Sequence, residues 1–564
     1  MSILIANLGT SDLAVKIHDN YFPLEFRREP NTIYPPVGSN EEALWKQGED
    51  YVKEFLCDEL EFTTKPTFRD LTGKILKGYQ ENPDYWHKRL SPGRIWGVIT
   101  TAKERFAIDK VYCFVTDQPQ TEVKGYPTDT INLFHILQQW FKYEEPTLTL
   151  IPKVIPQNIN PTQLDALFEH YYTFFNEVSQ EHDKILISTK GGTGQMQTAL
   201  QMQAIASMVE FQANLDPVLD ICKVLHGKPS FCKLNAHWKY IRSQRYITIK
   251  KLLQRWDFDG SIQLLKDWQQ YLQKLQHENI TDSGAISIND STIKQVIAAL
   301  NIAVDCFNLD NTKVSQDLNK PVNILLRQSS QLVKLVGNNS YDRQLNLYTQ
   351  CRIYWQLNQI ANFLSRLASF CEETFHFLIE KLEGLVYFPK NNYSDHWDVI
   401  KIKVKPAIWR QFKINESDKF CDNNKKDYRL STRFNKRNFV DALIKDRNEP
   451  QEKIAWQKIT ASLDKLEYWI EKRNKIVHAA KGVSVETMKI SLEQDRKDGH
   501  KSALKACQPE GILAEITNIS NQTSSLLNKP NSKYVGFNNT PYYIYSDIRD
   551  WVITQLTTDK QTNI

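Results

Sequence analysis

The sequence predicts an α/β Rossmann-like domain followed by a helical connector and a mostly α-helical domain. Three observations carry that prediction. At 564 residues the chain exceeds what one hydrophobic core organises, so roughly two to four domains are expected. Over residues 1–235, short apolar runs alternate with stretches of helical period, the pattern of a parallel sheet covered by helices. From about residue 236 onward the strand-like runs disappear and apolar residues recur every three or four positions. The division read from these changes is 1–235, 236–340 and 341–564.

Each element has its own signal. Ser2–Gly9 (SILIANLG) is a continuous apolar run ending in glycine, as expected of a strand buried on both faces. Arg94–Thr100, Lys110–Thr116, Leu148–Ile155 and Lys184–Thr189 read as further strands. Between them, Thr130–Tyr143 and Gln163–Val178 carry helical spacing. The segment Tyr21–Gly93 is irregular and rich in proline and aromatic residues, and reads as an insertion. Further on, His237–Leu275, Ile293–Phe307, Val314–Val336 and Ser340–Leu385 read as helices, and Leu385–Trp397 breaks the pattern. Glu452–Ala480 is a long amphipathic helix with Ile454, Ile459, Leu463, Leu466, Trp469 and Ile470 on its apolar face. The tail from Pro509, with Tyr534, Tyr542, Tyr543 and Tyr545, suggests a small strand pair.

Composition excludes several classes. Hydrophobic residues at 41% and charged residues at 24% are ordinary for a water-soluble chain. Met1 leads directly into an apolar strand rather than a basic leader, and no apolar run approaches the ~20 residues that span a bilayer. A cytoplasmic protein without membrane partners is expected. The nine cysteines are scattered with no CxxC pair, which argues for reduced thiols and against a structural zinc site. Neither HExxH nor DxDxDG occurs, so no metal is expected. The net charge of +5 hides a basic stretch: residues 401–448 hold fourteen Lys/Arg against six Asp/Glu. Trp409, Phe412, Phe420, Tyr428, Phe434 and Phe439 interleave it. Two readings fit, a track for single-stranded RNA or a solvated lysine-rich insertion.

In a doubly wound sheet, ligands sit beyond the carboxyl ends of the strands. Gly9-Thr10-Ser11-Asp12 follows the first strand, small and hydroxylated. Ser188–Met196 follows a late strand and contains Lys190, Gly191, Gly192, Thr193, Gly194, Gln195 and Met196. Three glycines there open a helix running through Met208, and a helix N-terminus offers free N–H groups and a positive dipole end to phosphates. Lys190 adds charge, Thr193 and Gln195 suit a ribose or base, and Met196 suits a base face. A tight strand-to-helix turn is the plainer reading, although three glycines in four residues exceed what a turn needs. The loop is neither GxGxxG after the first strand nor GxxxxGK[ST], which argues against dinucleotide cofactors and Walker-type NTPases.

Near the end of the long amphipathic helix stands Arg473-Asn474-Lys475-Ile476-Val477-His478. Histidine titrates near neutrality and can pass a proton to or from a ribose hydroxyl or leaving oxygen. Arginine presents a charged planar fork to a phosphate in the transition state. Asn474 lies one helical turn before His478 and can orient the imidazole or hold a phosphate oxygen. A surface arginine and an unrelated helix histidine would share this spacing. Five positions on an ideal helix are about 140° apart, so the two share a site only across a dimer or if the helix begins inside the motif.

Gly9-Thr10-Ser11 after strand one, with Gly191–Met196 before a late helix, resembles the CARF sensor domain. The helical domain with Arg473–His478 resembles the HEPN ribonuclease domain. Together, in this order, they resemble the CARF–HEPN accessory ribonucleases of type III CRISPR systems. The resemblance covers the whole chain in architecture and about fifteen residues in motif. It implies a homodimer whose CARF pair binds cyclic oligoadenylate through Gly9, Thr10, Ser11, Lys190, Gly191, Gly192, Thr193, Gly194, Gln195 and Met196. A ring of four adenylates (cA4) is expected ahead of six (cA6). It further implies antiviral cleavage of single-stranded RNA by Arg473, Asn474 and His478, leaving 2′,3′-cyclic phosphate ends, with no metal or other cofactor. The segment from His237 to about Val336 would couple the two, and Ala368–Leu378 suits a core helix in which His376 packs rather than catalyses. Degradation of the activator by Thr10, Ser11 and Lys190 stays open, as does a nucleotide-sensing regulator or scaffold without catalysis.

Overall fold

The computed structural model describes residues 2–26, 32–207, 209, 211–280, 283–320, 339–389, 397–415, 427–479, 482–527, 533–536 and 539–558. The chain forms two compact units, Met1–Arg245 with Asp267–Ile288, and Tyr246–Lys266 with Asn289–Ile564.

The first unit runs β1 (Ser2–Asn7), β2 (Ala14–Ile17), β3 (Asn20–Pro23), α1 (Asn40–Glu54), α2 (Phe68–Glu81), α3 (Pro83–Arg89), β4 (Leu90–Ser91) and α4 (Gly93–Phe106). It continues with β5 (Lys110–Thr116), α5 (Ile131–Glu144), β6 (Thr149–Ile155), α6 (Leu164–Glu181) and β7 (Lys184–Ser188). After these come α7 (Gly194–Ala206), β8 (Phe211–Pro217), α8 (Ile221–Leu225) and β9 (Cys232–Asn235). Six strands form a sheet in the order β6-β5-β1-β7-β8-β9, parallel except for the antiparallel edge strand β9. β1 lies centrally, pairing Ile3 with Lys110 on one side and with Ile185 on the other. Its side chains from Ile3 to Ala6 are fully buried, which is why it reads as an uninterrupted apolar run. Ile3, Ile5, Phe114 and Ile187 share one core with Leu167, Tyr171 and Phe174 of α6 and Ala199 and Leu200 of α7.

Two expectations change here. Arg94–Thr100 is part of helix α4, not a strand. Its buried residues Ile95, Val98, Ile99, Ala102 and Phe106 follow three- and four-residue spacing. A seven-residue apolar run cannot by itself separate a buried strand from a buried helix. The segment Tyr21–Gly93, read as irregular, holds α1, α2 and α3, and α2 packs on α5. Strands β8 and β9, and the small antiparallel sheet of β3, β2 and β4, were not foreseen.

Helices α9 (Trp238–Gln254), α10 (Phe258–His277) and α11 (Ser283–Phe307) pass through the division between units. The second unit continues with α12 (Asn311–Leu318), α13 (Ser340–Gln356), α14 (Ile360–Lys381), β10 (Asp398–Ile400), α15 (Pro406–Asn415), β11 (Asp427–Arg429) and α16 (Arg433–Asp446). It ends with α17 (Pro450–Ala479), α18 (Val485–Lys497), α19 (Lys501–Lys505), α20 (Ile512–Leu526) and α21 (Tyr543–Thr558). α13 packs along α14, and α17 packs on α14 and α20. Buried polar groups of α13 bond to neighbouring helices: Tyr545 of α21 donates to Asn346 at 2.6 Å, and Gln344 donates to Thr374 of α14 at 2.8 Å.

The described tail after Pro509 is helical, not a strand pair. Ile512, Ile516, Ile519 and Thr523 bury one helical stripe of α20, and the tyrosines of α21 fill the core. Aromatic content had favoured strand, and burial overrides it. Ile454 is 53% exposed and does not join the apolar face of α17, whereas Ile459, Leu463, Leu466, Trp469 and Ile470 do. Most of the stretch expected to be helical at Val314–Val336 lies outside the described residues.

Candidate functional site

A cleft of about 610 Å³ opens beyond the carboxyl ends of β1, β5, β6 and β7. Leu8, Gly9 and Thr10 follow β1, and Asn160, Pro161 and Thr162 follow β6. Gly192, Thr193 and Met196 come from the turn into α7. The remaining wall is the loop after β5, with Gln118, Thr121–Gly125, Thr128 and Thr130.

The α7 turn is built for close approach. Gly191 and Gly192 have φ of +98° and +68°, and a Cβ on Gly191 would stand 2.4 Å from the Asn7 carbonyl oxygen. Thr193 caps α7 by accepting from the Met196 N–H at 3.1 Å. The free N–H groups and dipole of that helix end therefore favour an anion at the cleft.

Of the predicted ligand residues, Gly9, Thr10, Gly192, Thr193 and Met196 line this cleft. Ser11 lines a separate small cavity with Thr10, Ala14 and Trp45. Gly191 packs against β1, and Gly194 and Gln195 are exposed on the first turn of α7. Lys190 stands 3.9 Å from Asp216 of β8. Met196 is buried beneath the cleft in the sheet core.

The first loop is held from below. Asp12 is fully buried, accepts from the Gly9 N–H at 2.8 Å and pairs with buried Arg94 of α4. Tyr171 donates to Asn7 Oδ1 at 2.9 Å, and burial pushes its phenol pKa up, so it stays a donor.

In the second unit, Arg473 is half-buried on α17. The backbone of α17 stays helical through Ala479, which excludes a helix that begins inside the motif. The side chains of Asn474 and His478 lie outside the described residues. The turn before Arg473 is fixed from α18: Lys472 Nζ and the Tyr468 hydroxyl reach Asp495 at 3.1 and 2.9 Å. Burial opposes ionisation of Asp495, but these two donors prevail and hold its pKa below the usual carboxylate value. Trp469 Nε1 donates to the Cys507 carbonyl at 3.1 Å. His376 bonds Glu373 at 3.2 Å and stacks on Trp397, with ring centroids 4.2 Å apart.

The described part of the basic stretch holds β11, α15 and α16, and its rings pack on each other. Phe412 and Phe439 are fully buried, and Trp409 and Tyr428 lie against Phe412. Phe434, 61% exposed, is the described ring turned to solvent, and Phe420 lies outside the described residues. Several cations meet acids elsewhere in the unit: Lys436 pairs with Glu372, Arg433 with Glu467 and Arg437 with Asp464.

A solved structure of Enterococcus italicus Csm6 bound to cyclic hexa-2'-fluoro-hexa-dAMP matches this chain with a TM-score of 0.50. The match covers 98% of this chain and 100% of that one, at 13% sequence identity. This chain has the fold of Csm6. No family model and no curated protein sequence matches it. The Csm6 fold accounts for the Rossmann-like sheet and the helical second half in a single chain. Among the cleft residues of this Csm6-like sheet, sequence reasoning missed the loops after β5 and β6. A signal was present, since both strands were predicted and their carboxyl ends face the same side as those of β1 and β7.

Proposed function

We propose that this chain is an endoribonuclease switched on by cyclic oligoadenylate and acting on single-stranded RNA in CRISPR antiviral defence. The observation that carries this reading is the cleft. Two glycine-containing turns and a helix N-terminus line it, at the strand ends of a chain with the Csm6 fold. A ring of adenylates presents phosphates to N–H groups and purines to apolar walls, and an even-numbered ring matches a two-fold pair of such clefts. The ring seated on Enterococcus italicus Csm6 in the matched structure belongs to this ligand class.

In this reading the active site is composite. Five positions along a continuous helix are about 140° apart, which supports a pairing of Arg473 and His478 with their counterparts across a homodimer rather than within one copy. His478 moves the proton at the ribose 2′-hydroxyl or the leaving oxygen, Arg473 holds the phosphate in the transition state, and Asn474 supports them. The 2′-hydroxyl attacks the adjacent phosphorus, the 5′-oxygen leaves, and the products carry 2′,3′-cyclic phosphate and 5′-hydroxyl ends. No metal takes part. The ring activates only by its higher affinity for the arrangement in which the two motifs face one another.

Cleavage of a fluorescent single-stranded RNA in EDTA tests this, with cyclic tetra- or hexa-adenylate, for wild type and His478→Ala. Cleavage that needs one ring and is lost in His478→Ala is expected. Ring binding without cleavage under any condition would point to a nucleotide-sensing regulator. Cleavage indifferent to His478→Ala would remove the motif from the mechanism.

A further inference from the structure

The loop after β5 supplies much of the cleft wall, and nothing in its own sequence explains its shape. It is a closed loop. Its ends meet where Thr116 N–H donates to Thr130 Oγ1 at 3.1 Å and Thr130 N–H donates to Thr116 Oγ1 at 3.3 Å. Between them the chain is polar and mostly exposed, with Val123 at 80% exposure and Lys124 beside it on the cleft. Such a loop has little apolar burial of its own to hold one conformation.

What holds it comes from α2. Arg69 Nη1 donates to Asp129 Oδ2 at 2.6 Å, and Nη2 donates to Asp117 Oδ1 at 2.7 Å. One guanidinium thus ties the first and last residues of the loop. Its Cζ lies over the Tyr126 ring, 4.2 Å from the centroid, inside the loop. Asp129 is fully buried, and its Oδ2 also accepts from the Gln118 N–H at 2.7 Å, so the clamp reaches a cleft-lining residue directly. Asn132 donates to the Arg69 carbonyl at 3.2 Å and fixes α2 to the start of α5.

We infer that the Gln118–Thr130 loop is a ligand-contacting wall of the cleft and that Arg69 is its positioning residue. This rests on the proposal that the cleft takes a cyclic oligoadenylate. Lys124 then meets a phosphate, Val123 lies on a purine face, and the hydroxyls of Thr121 and Thr128 face ribose. Arg69 touches none of these. It sets the position of the loop that presents them, so the segment read as an insertion shapes the ligand site.

Two measurements on the full-length protein test this. The first is affinity and dissociation rate for cyclic tetra- and hexa-adenylate in wild type, Arg69→Gln, Arg69→Lys and Lys124→Gln. The second is amide hydrogen exchange of residues 118–128 without added nucleotide. Arg69→Gln should weaken binding on the order of tenfold, mainly through faster dissociation. Arg69→Lys should recover part of it, since one ammonium cannot fork to two carboxylates. Lys124→Gln should weaken binding without changing loop exchange. If Arg69→Gln fails to fold, Asp117→Asn removes the half-exposed arm of the clamp and should speed loop exchange. Wild-type affinity in Arg69→Gln or Lys124→Gln overturns the inference, as does unchanged loop exchange in Arg69→Gln. If wild type binds neither ring, the proposed ligand is wrong and with it the ligand-contacting role, while the exchange data still decide whether Arg69 positions the loop.

Discussion

Arg94 and Asp12 face each other inside the first unit, Nε 2.9 Å from Oδ1 and Nη2 2.5 Å from Oδ2, with side chains 3% and 0% exposed. The pair joins α4 to the loop after β1, and the same carboxylate holds the Gly9 N–H. Removing one partner leaves the other charge buried, which costs about 3–5 kcal/mol. Arg94→Met should lower the stability of the first unit by that amount in urea unfolding. The double variant Arg94→Met, Asp12→Leu should be less damaged than the two single losses added together. Additive losses would mean that the pair is not a unit.

The two glycines of the α7 turn should respond differently to alanine. At Gly192 the new Cβ meets the flexible Met196 side chain at 3.0 Å, so the left-handed backbone, costing roughly 1–2 kcal/mol, is the main penalty. At Gly191 it meets the Asn7 carbonyl oxygen at 2.4 Å and the Arg94 guanidinium at 2.6 Å, neither of which yields cheaply. Thermal unfolding should place Gly191→Ala well below Gly192→Ala. Equal melting temperatures would show that the turn can move away from β1.

In the second unit, Glu373 accepts from Arg343 Nη2 at 2.6 Å and bonds His376 at 3.2 Å. Burial opposes its ionisation, but the hydrogen bonds from His376 and Arg343 prevail and hold its pKa below the usual carboxylate value. A carboxyl depressed in the fold contributes stability that is fully present above its unfolded pKa and fades as pH falls through the folded value. Wild type should therefore lose stability as pH falls from the ordinary glutamate value of about 4.3 through the lower folded one. Glu373→Gln should start lower at neutral pH and show a flatter acid limb. Parallel acid limbs would remove Glu373 from that dependence.

The rings of the basic stretch give a sharper test of RNA contact than its charge does. Phe412→Ala should cost about 3–5 kcal/mol, because the ring is fully buried. Phe434→Ala should change stability by about 0.5 kcal/mol or less. If the stretch holds single-stranded RNA by stacking, Phe434→Ala should weaken RNA binding several-fold, since one stacked base is worth about 1–3 kcal/mol. Unchanged affinity would leave the stretch a folded part of the unit whose cations serve its own acids.

The central strands were legible because a strand buried on both faces is apolar through its centre, as Ile3–Ala6 of β1 and Val111–Val115 of β5 are. The same rule misled at Arg94–Thr100, where a helix buried on most sides gives an equally apolar run, and its arginine is inside because Asp12 is. The glycines at 191 and 192 were read as more than a turn needs, yet their positive φ and the closeness of β1 at Gly191 make the turn itself require them. The wall of the cleft was not legible: Gln118–Thr130 has no period, and its shape comes from Arg69, some fifty residues earlier. For the α17 motif, spacing gave only the expectation at Arg473, and the support of the preceding turn by Asp495 depends on a later helix that no local pattern indicates.

The edges of the six-stranded sheet carry a consequence for the chain in concentrated solution. One edge is β6, where Pro152 and Lys153 stand consecutively; the other is β9, four residues long and antiparallel. Proline withdraws an N–H, lysine brings a charge, and a short strand offers little ladder. Neither border is a good template for a foreign strand. Copies of this chain that meet in concentrated solution should therefore resist joining these sheets edge to edge.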